Sequence, residues 1–171
     1  MPKSMLRIAA LSALLVIGLV ASESRATLAE PSGRILLSVT GKIAETNQEG
    51  RAEFDRQMLE ALGTVTLRTW TPWTDGVVEF EGVPASRLLD AVGASGSVLR
   101  AIASNDYAAE IPVDELRKYP AILAMRMNGE RLRLRDKGPL WIVMPWSDHP
   151  ELDNQASRHW SVWQLRAIEV R

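Results

Sequence analysis

The segment at residues 69–76 combines aromatic, hydroxyl and acidic side chains in the pattern of a small-molecule site. It contains Trp70 and Trp73, three threonines and Asp75, and it follows a stretch typical of a β-strand. Tryptophan rings stack on flat heterocycles, and a carboxylate accepts hydrogen bonds from the N–H groups along their edges. Trp73, which follows a proline, is the expected stacking ring, and Asp75 is a candidate acceptor. Trp70 fits equally well as a core residue.

A second candidate lies at residues 104–107, between two short predicted strands. Asn105 and Asp106 are common in turns, so one interpretation is a plain hairpin turn. The functional interpretation is that Asp106 accepts N–H donors from a ligand and that Tyr107 packs against the ligand's ring. Asp106 is the first choice for the acceptor, and Asp75 is the second.

Two further candidate sites lie in a predicted strand or directly after one. Arg126 lies in an otherwise apolar strand, where a charged group needs an anionic partner. Pro145 and Trp146 leave a buried-looking strand at residues 140–144, and the ends of strands beside loops are where sites are usually built.

The last candidate is the stretch at residues 158–163, with Arg158, His159 and Trp163. His159 has the chemistry of a general base, but no serine or cysteine nucleophile is placed beside it in a known catalytic order. A solvated or structural histidine is therefore the favoured interpretation. The chain also lacks a glycine-rich phosphate loop, so the sequence predicts a binding site rather than a catalytic one.

The composition excludes several classes of function. The 171 residues carry a formal net charge of −1 and no long basic run, which disfavours nucleic acid as a partner. Cysteine is absent, so disulfides, thiolate nucleophiles and thiolate metal sites are excluded. With only two histidines, a multi-histidine metal site is not expected either. Six tryptophans against two phenylalanines and two tyrosines suggest aromatic stacking surfaces in addition to a core.

The N-terminus has the pattern of a secretory signal peptide. Lys3 and Arg7 precede an apolar stretch at residues 8–20, and small residues at Ser24 and Ala26 suit a signal peptidase. The alternative is an uncleaved membrane anchor, for which the stretch is short. The sequence thus predicts a signal peptide at residues 1–26, a single domain at residues 27–171, and location in the periplasm.

The elements that would position these candidates are short. Strands are predicted near residues 35–39, 64–69, 77–80, 98–103, 108–111, 122–127, 131–134, 140–144 and 163–170, and helices at residues 53–62, from 84 to 93, and at 113–118. Residues 148–158 are predicted to form a polar loop. Short strands with interspersed short helices indicate an α+β domain built on a mixed β-sheet.

Several motifs together resemble a known family. Residues 80–84, 105–107, 127–130, 138–141 and 163–165, in this order and spacing, resemble the molybdopterin-binding domain of sulfite-oxidase-like proteins. The resemblance runs from about residue 39 to the C-terminus. In catalytic members of that family, a cysteine just after the strand that matches residues 64–69 ligates molybdenum. This chain has tryptophan and threonine there.

A narrower resemblance involves residues 71–74 and 136–141, which look like those of periplasmic pterin-binding proteins that share this fold. The resemblance implies a reduced free pterin, such as tetrahydromonapterin, as ligand and no metal. It also implies that this protein is a signalling adaptor and not itself an enzyme. Its implied partner is the periplasmic region of an inner-membrane diguanylate cyclase/phosphodiesterase, which makes and degrades cyclic di-GMP, a biofilm signal. The alternative is a molybdopterin-dependent oxidoreductase that holds its metal through dithiolene sulfurs alone.

The resemblance suggests which residues bind the ligand and which contact the partner. The adjacent amino and ring N–H groups of a pterin suit the two oxygens of one carboxylate, which is the role expected of Asp106 or Asp75. Residues 145–160 are the expected partner surface, with Trp146 as an aromatic anchor. A lid over the ligand is the equally weighted alternative for this segment.

Overall fold

The computed structural model describes residues 28–171, and two five-stranded sheets form its framework. The first sheet has the order β2-β1-β10-β5-β6, in which β1 and β10 are parallel and the other neighbours are antiparallel. Its strands are β1 (Leu37–Gly41), β2 (Ala52–Phe54), β5 (Val98–Ala103), β6 (Ala108–Pro112) and β10 (Leu165–Val170).

The second sheet is entirely antiparallel, and β7 is the strand with the most pairing partners. Strand β3 pairs with β4, which pairs with β7, and β7 pairs with β8 and β9 at different points along its length. Its strands are β3 (Val65–Trp70), β4 (Val77–Pro84), β7 (Ile122–Met127), β8 (Glu130–Arg131) and β9 (Trp141–Val143).

In the part of the chain that the structure describes, four short α-helices connect the strands. They are α1 (Arg56–Ala61), α2 (Ala85–Ala91), α3 (Val113–Lys118) and α4 (Gln155–Trp160), with 3₁₀ turns at Leu134–Asp136 and Pro150–Leu152. None of the helices in residues 28–171 has the length and apolar character needed to cross a membrane. The signal peptide predicted at residues 1–26 lies outside the described residues.

One contiguous apolar core draws on both sheets and on the helices. Burial alternates along β5, where Leu99, Ala101 and Ala103 point inward, because successive side chains in a strand face opposite sides. Strand β9 is buried throughout and contributes Trp141, one of the largest enclosed side chains. The predicted α+β class is confirmed.

Three predicted elements differ from the structure. The helix expected at residues 53–62 begins only at Arg56, because Asp55 accepts the backbone N–H of Met58 as an N-cap while the preceding residues pair as β2. The strand expected at residues 131–134 ends at Arg131 and gives way to a 3₁₀ turn. The loop expected at residues 148–158 contains most of α4, capped by Asn154, whose side chain accepts the N–H of Ser157.

Candidate functional site

A cavity of about 330 Å³ opens beside the C-terminal end of β5. Residues from three separate places in the sequence meet there: the segment after β3, the turn between β5 and β6, and the segment that joins α4 to β10. The volume lies at the lower end of the ~300–1,000 Å³ typical of small-molecule pockets. The lining residues are Trp73, Ala103, Asn105, Tyr107, Arg158, His159, Ser161, Val162 and Trp163.

Two tryptophan rings form the aromatic part of the cavity, and buried tryptophans hold them in place. Trp73 packs edge-on against Trp163 with ring centroids 5.2 Å apart, and it contacts Trp141 and Trp146 at 6.1 Å each. Trp141 and Trp146 are almost fully buried. Trp70 contacts Trp146 at 6.2 Å and is not among the cavity residues, which favours its interpretation as a packing residue.

The threonine hydroxyls brace the segment that carries Trp73. The Oγ1 of Thr71 accepts the backbone N–H of Trp73 at 3.2 Å, and the Oγ1 of Thr74 accepts the N–H of Thr71 at 3.0 Å. Thr69 is tied to the chain beyond β9, because its Oγ1 accepts the N–H of Ser147 at 2.9 Å. These contacts explain why three hydroxyls surround a tryptophan: they fix the ring rather than meet a ligand.

Tyr107 and His159 join two sides of the cavity. The phenol oxygen of Tyr107 lies 3.3 Å from Nδ1 of His159 and donates to the His159 carbonyl at 3.3 Å. Asn105 shapes the same turn, since its Oδ1 accepts the N–H of Tyr107 at 3.2 Å. The turn between β5 and β6 is thereby connected to the C-terminal end of α4.

The cavity is lined by two basic residues, Arg158 and His159. Nη2 of Arg158 lies 2.6 Å from Oδ1 of Asp153, in an ion pair whose side chains are each about half exposed. His159 contributes the second basic group. No carboxylate is among the nine lining residues, so a ligand in this cavity meets hydrogen-bond donors more often than acceptors.

Neither predicted carboxylate lines the cavity. Asp106 has a positive φ of 66°, its side chain is 85% exposed, and its Oδ1 lies 2.6 Å from Nη2 of Arg166. Its position at the turn follows from the backbone geometry that aspartate tolerates, and the ion pair directs the carboxylate away from the cavity residues. Asp75 is exposed and also lies outside the lining set.

Arg126, Pro145 and Trp146 occupy structural positions. Arg126 finds its anionic partners within the protein, with Nε 3.7 Å from Glu81 and Nη2 4.0 Å from Glu60. Pro145 is buried, and Trp146 has no exposed surface. The expected role of Trp146 as an exposed anchor is therefore wrong, because its ring supports Trp73 from the core and its Nε1 donates to the Leu152 carbonyl at 3.0 Å.

Of the ten side chains predicted for the site, the cavity brings together five: Trp73, Asn105, Tyr107, Arg158 and Trp163. Ser161 is the important addition. Its side chain is 3% exposed, and its Oγ has no hydrogen-bond partner in the described part of the chain. The sequence around Ser161 does not indicate this role, because a hydroxyl without a hydrogen-bond partner can be recognised only once the positions of the surrounding residues are known.

The position just after β3 bears on metal chemistry. Thr71 occupies it, is 2% exposed, and has its hydroxyl engaged with Trp73 and Thr74. Within residues 28–171, no three side chains among His, Cys, Asp and Glu converge as a metal site would require.

Comparison with known proteins places this geometry in a family. The sequence profile described as the oxidoreductase molybdopterin binding domain matches residues 13–147. No curated protein matches the sequence significantly. Among solved structures, the chain is similar to the sulfane dehydrogenase SoxCD from Paracoccus pantotrophus, with a TM-score of 0.55 and 20% sequence identity.

That structural match covers 78% of this chain and 37% of the SoxCD chain, so this protein corresponds to about a third of its relative's length. At this identity the likeness establishes the fold. The family profile spans most of the sequence, including the loop that carries Trp73 and the turn that carries Tyr107. The chain therefore belongs to the oxidoreductase molybdopterin-binding domain family.

Proposed function

We propose that this protein binds a reduced free pterin, with tetrahydromonapterin as the expected type, in the cavity that Trp73 and Trp163 line. The single observation that carries the proposal is a pair of fixed tryptophan rings beside a buried serine hydroxyl without a partner. A pterin is a flat heterocycle with polar atoms along its edges. It would cover the rings and supply the hydrogen bond that Ser161 lacks.

The donor set supports a ligand without metal. In the catalytic members that the chain resembles, the molybdenum ligand is a thiolate, whereas this chain has Trp70 and Thr71 after the corresponding strand. A hydroxyl oxygen is a hard donor and a poor replacement for a soft thiolate. The hydroxyl of Thr71 is also engaged in the bonds that brace the Trp73 segment, so binding a metal would disrupt that support.

A regulatory role follows from the resemblance to periplasmic pterin-binding proteins. In this proposal the protein is exported by its signal peptide to the periplasm. The loaded protein there contacts the periplasmic region of an inner-membrane diguanylate cyclase/phosphodiesterase. Tyr107, Arg158 and His159 are exposed and line the cavity, so a partner that touches them would detect the bound ligand. These exposed residues replace Trp146 as the expected contact points.

A molybdopterin-dependent oxidoreductase is the second candidate, favoured by the family to which the chain belongs. A bound molybdopterin would use the same aromatic cavity, and its dithiolene sulfurs would be the ligands that hold the redox-active metal. Elemental analysis and mass spectrometry of protein purified from its native host distinguish the two. A free pterin without molybdenum supports the proposal, whereas stoichiometric molybdenum establishes the second candidate.

Affinity for the pterin is measurable by tryptophan fluorescence under anaerobic conditions, which keep the ligand reduced. We expect tetrahydropterin to quench wild-type fluorescence, and Trp73→Phe to weaken binding severalfold because it shortens the stacking surface. Phenylalanine is preferred to alanine, since deleting the central ring of this cluster would cost about 3–5 kcal/mol of stability. Trp160→Phe is the control, because Trp160 does not line the cavity.

A further inference from the structure

A second cavity, of about 600 Å³, lies on a different part of the molecule. It is bounded by residues 32–36, the start of α1, and the segment from Leu132 to Pro139. It shares no lining residue with the tryptophan cavity. Three arginines, Arg34, Arg56 and Arg133, stand beside an apolar wall formed by Leu36, Leu132, Leu134 and Pro139.

The only acidic residue in the lining is already fully engaged. Asp55 is 2% exposed, its Oδ2 accepts the backbone N–H groups of Ser32 at 2.9 Å and Gly33 at 2.8 Å, and its Oδ1 accepts that of Met58 at 2.9 Å. The Met58 hydrogen bond is the largest cause of a pKa below the usual range for this carboxyl. With both oxygens committed to the backbone, Asp55 is a poor partner for the neighbouring guanidinium groups.

The three arginines that line this cavity make few hydrogen bonds or ion pairs with the described part of the protein. Nη1 of Arg56 is buried without a hydrogen bond, and its nearest carboxylate oxygen, on Glu60, is 4.0 Å away. Burial, followed by repulsion from Arg131, holds the pKa of Arg56 below its ordinary value. Arg34 forms no ion pair with any residue in 28–171, and Arg133 reaches Asp136 at 3.4 Å with a side chain that is 64% exposed.

The apolar wall indicates what kind of anion fits. Leu134 is 60% exposed and lines the cavity together with Leu132 and Pro139. An inorganic anion bound to the arginines would leave the apolar side chain of Leu134 exposed to water. A molecule with an anionic head and a short aliphatic chain would pair with the guanidinium groups and cover the leucine.

We propose that this second cavity binds a small organic anion whose carboxylate or phosphate contacts Arg34 and Arg56 and whose aliphatic part packs on Leu134. The inference is independent of the pterin proposal, because the two cavities have no residue in common. The same head-group chemistry occurs on free amphiphiles and on membrane lipids, and the proposal commits to the free molecule because a cavity of about 600 Å³ has room for a head group and a short aliphatic chain.

The test is isothermal titration of the purified protein with octanoate and octyl phosphate, with 1-octanol and inorganic phosphate as matched probes. We expect the two amphiphilic anions to bind at least tenfold more tightly than the alcohol or the inorganic ion. Arg34→Gln and Arg56→Gln should each weaken octanoate binding at least fivefold. Arg117→Gln should not, because Arg117 pairs with Asp90 elsewhere on the surface.

Leu134→Asp provides a second readout that does not depend on Arg56, which is partly buried. This exposed position tolerates a polar side chain, and the new charge should abolish octanoate binding in a protein whose circular dichroism is unchanged. Equal binding of octanol and octanoate, or equal effects of Arg34→Gln and Arg117→Gln, would overturn the proposal. Sedimentation with phosphatidylglycerol vesicles without octanoate binding would also overturn it, in favour of a membrane surface.

Discussion

Replacing Ser161 by alanine should move stability and ligand affinity in opposite directions. The hydroxyl is buried and has no hydrogen-bond partner in the described chain, and such a group costs about 1–3 kcal/mol when it is left unsatisfied. Ser161→Ala removes that cost from the ligand-free protein without changing the backbone. We expect its free energy of unfolding to rise by about 1 kcal/mol, the lower end of the range, because a hydroxyl can rotate to relieve part of the penalty.

The affinity of Ser161→Ala for the pterin should fall, although the ligand-free variant is more stable. If a pterin supplies the missing partner, the variant loses one hydrogen bond of about 0.5–1.5 kcal/mol, which is roughly a two- to twelvefold weaker Kd. The assay pairs urea unfolding of the ligand-free protein with an anaerobic fluorescence titration of tetrahydropterin. A gain in stability together with a loss in affinity is the pattern of a site residue held ready for its ligand.

Ser157→Ala is the matched control. Ser157 is fully buried like Ser161, but its hydroxyl donates to the Leu152 carbonyl and lies 3.4 Å from Nε1 of Trp146. Its removal should lower the free energy of unfolding by about 1–2 kcal/mol and leave pterin affinity within about twofold. The reasoning fails if Ser161→Ala destabilises the protein as Ser157→Ala does and leaves the Kd unchanged.

Three other predictions concern separate parts of the chain. Tyr107→Phe should change the free energy of unfolding by less than about 0.5 kcal/mol, because the side chain is half exposed, but should speed amide hydrogen exchange at the C-terminal end of α4, as mass spectrometry would detect. The pKa of Asp55 is below its ordinary value of 3.8, so the ionised carboxylate stabilises the protein above pH 3.8, and this stability is lost as the pH falls through the folded pKa. Asp55→Asn should therefore have a lower free energy of unfolding than wild type at pH 7. Between pH 7 and about pH 3, that free energy should fall less in the variant than in wild type, as urea unfolding would measure. N-terminal sequencing of a periplasmic extract should give a mature chain that starts near Thr27, whereas membrane-bound protein that retains Met1 would show an uncleaved anchor.

The fold was predictable where local signals agree with tertiary pairing. The bounds of β5, α3 and β7 match those expected from apolar alternation and from the prolines that flank α3. The start of α1 was misplaced and α4 was missed, and in both helices a side-chain cap decides the boundary. Asp55 and Asn154 are ordinary polar residues in the sequence, and their capping role depends on which backbone N–H lies within reach.

The site was predictable to the extent that residues next to strand ends converge. Trp73, Tyr107 and Trp163 follow or precede strands that meet around the cavity, so their positions in the sequence were informative. The position of Asp106 could not be predicted in this way, because its ion-pair partner, Arg166, lies sixty positions away in the sequence. Trp146 was misjudged for a related reason: the loop that follows it folds back and covers its ring.

The chemistry of the cavity argues for a particular orientation of the ligand. Arg158 and His159 supply N–H donors, and the Asn105 amide presents its nitrogen because its oxygen accepts the N–H of Tyr107. With no carboxylate in the lining, the amino edge of a pterin would find few acceptors, whereas its 4-oxo group would face donors. The carbonyl edge should therefore face Arg158, His159 and Asn105, and the amino edge should point away from them. Replacing the 4-oxo group by an amine, as in 2,4-diaminopteridine, should then weaken binding more than methylation of the 2-amino group, because an amine placed against donors cannot accept their hydrogen bonds. The reverse order of affinities in the same fluorescence titration would place the amino edge against these residues and would refute this orientation.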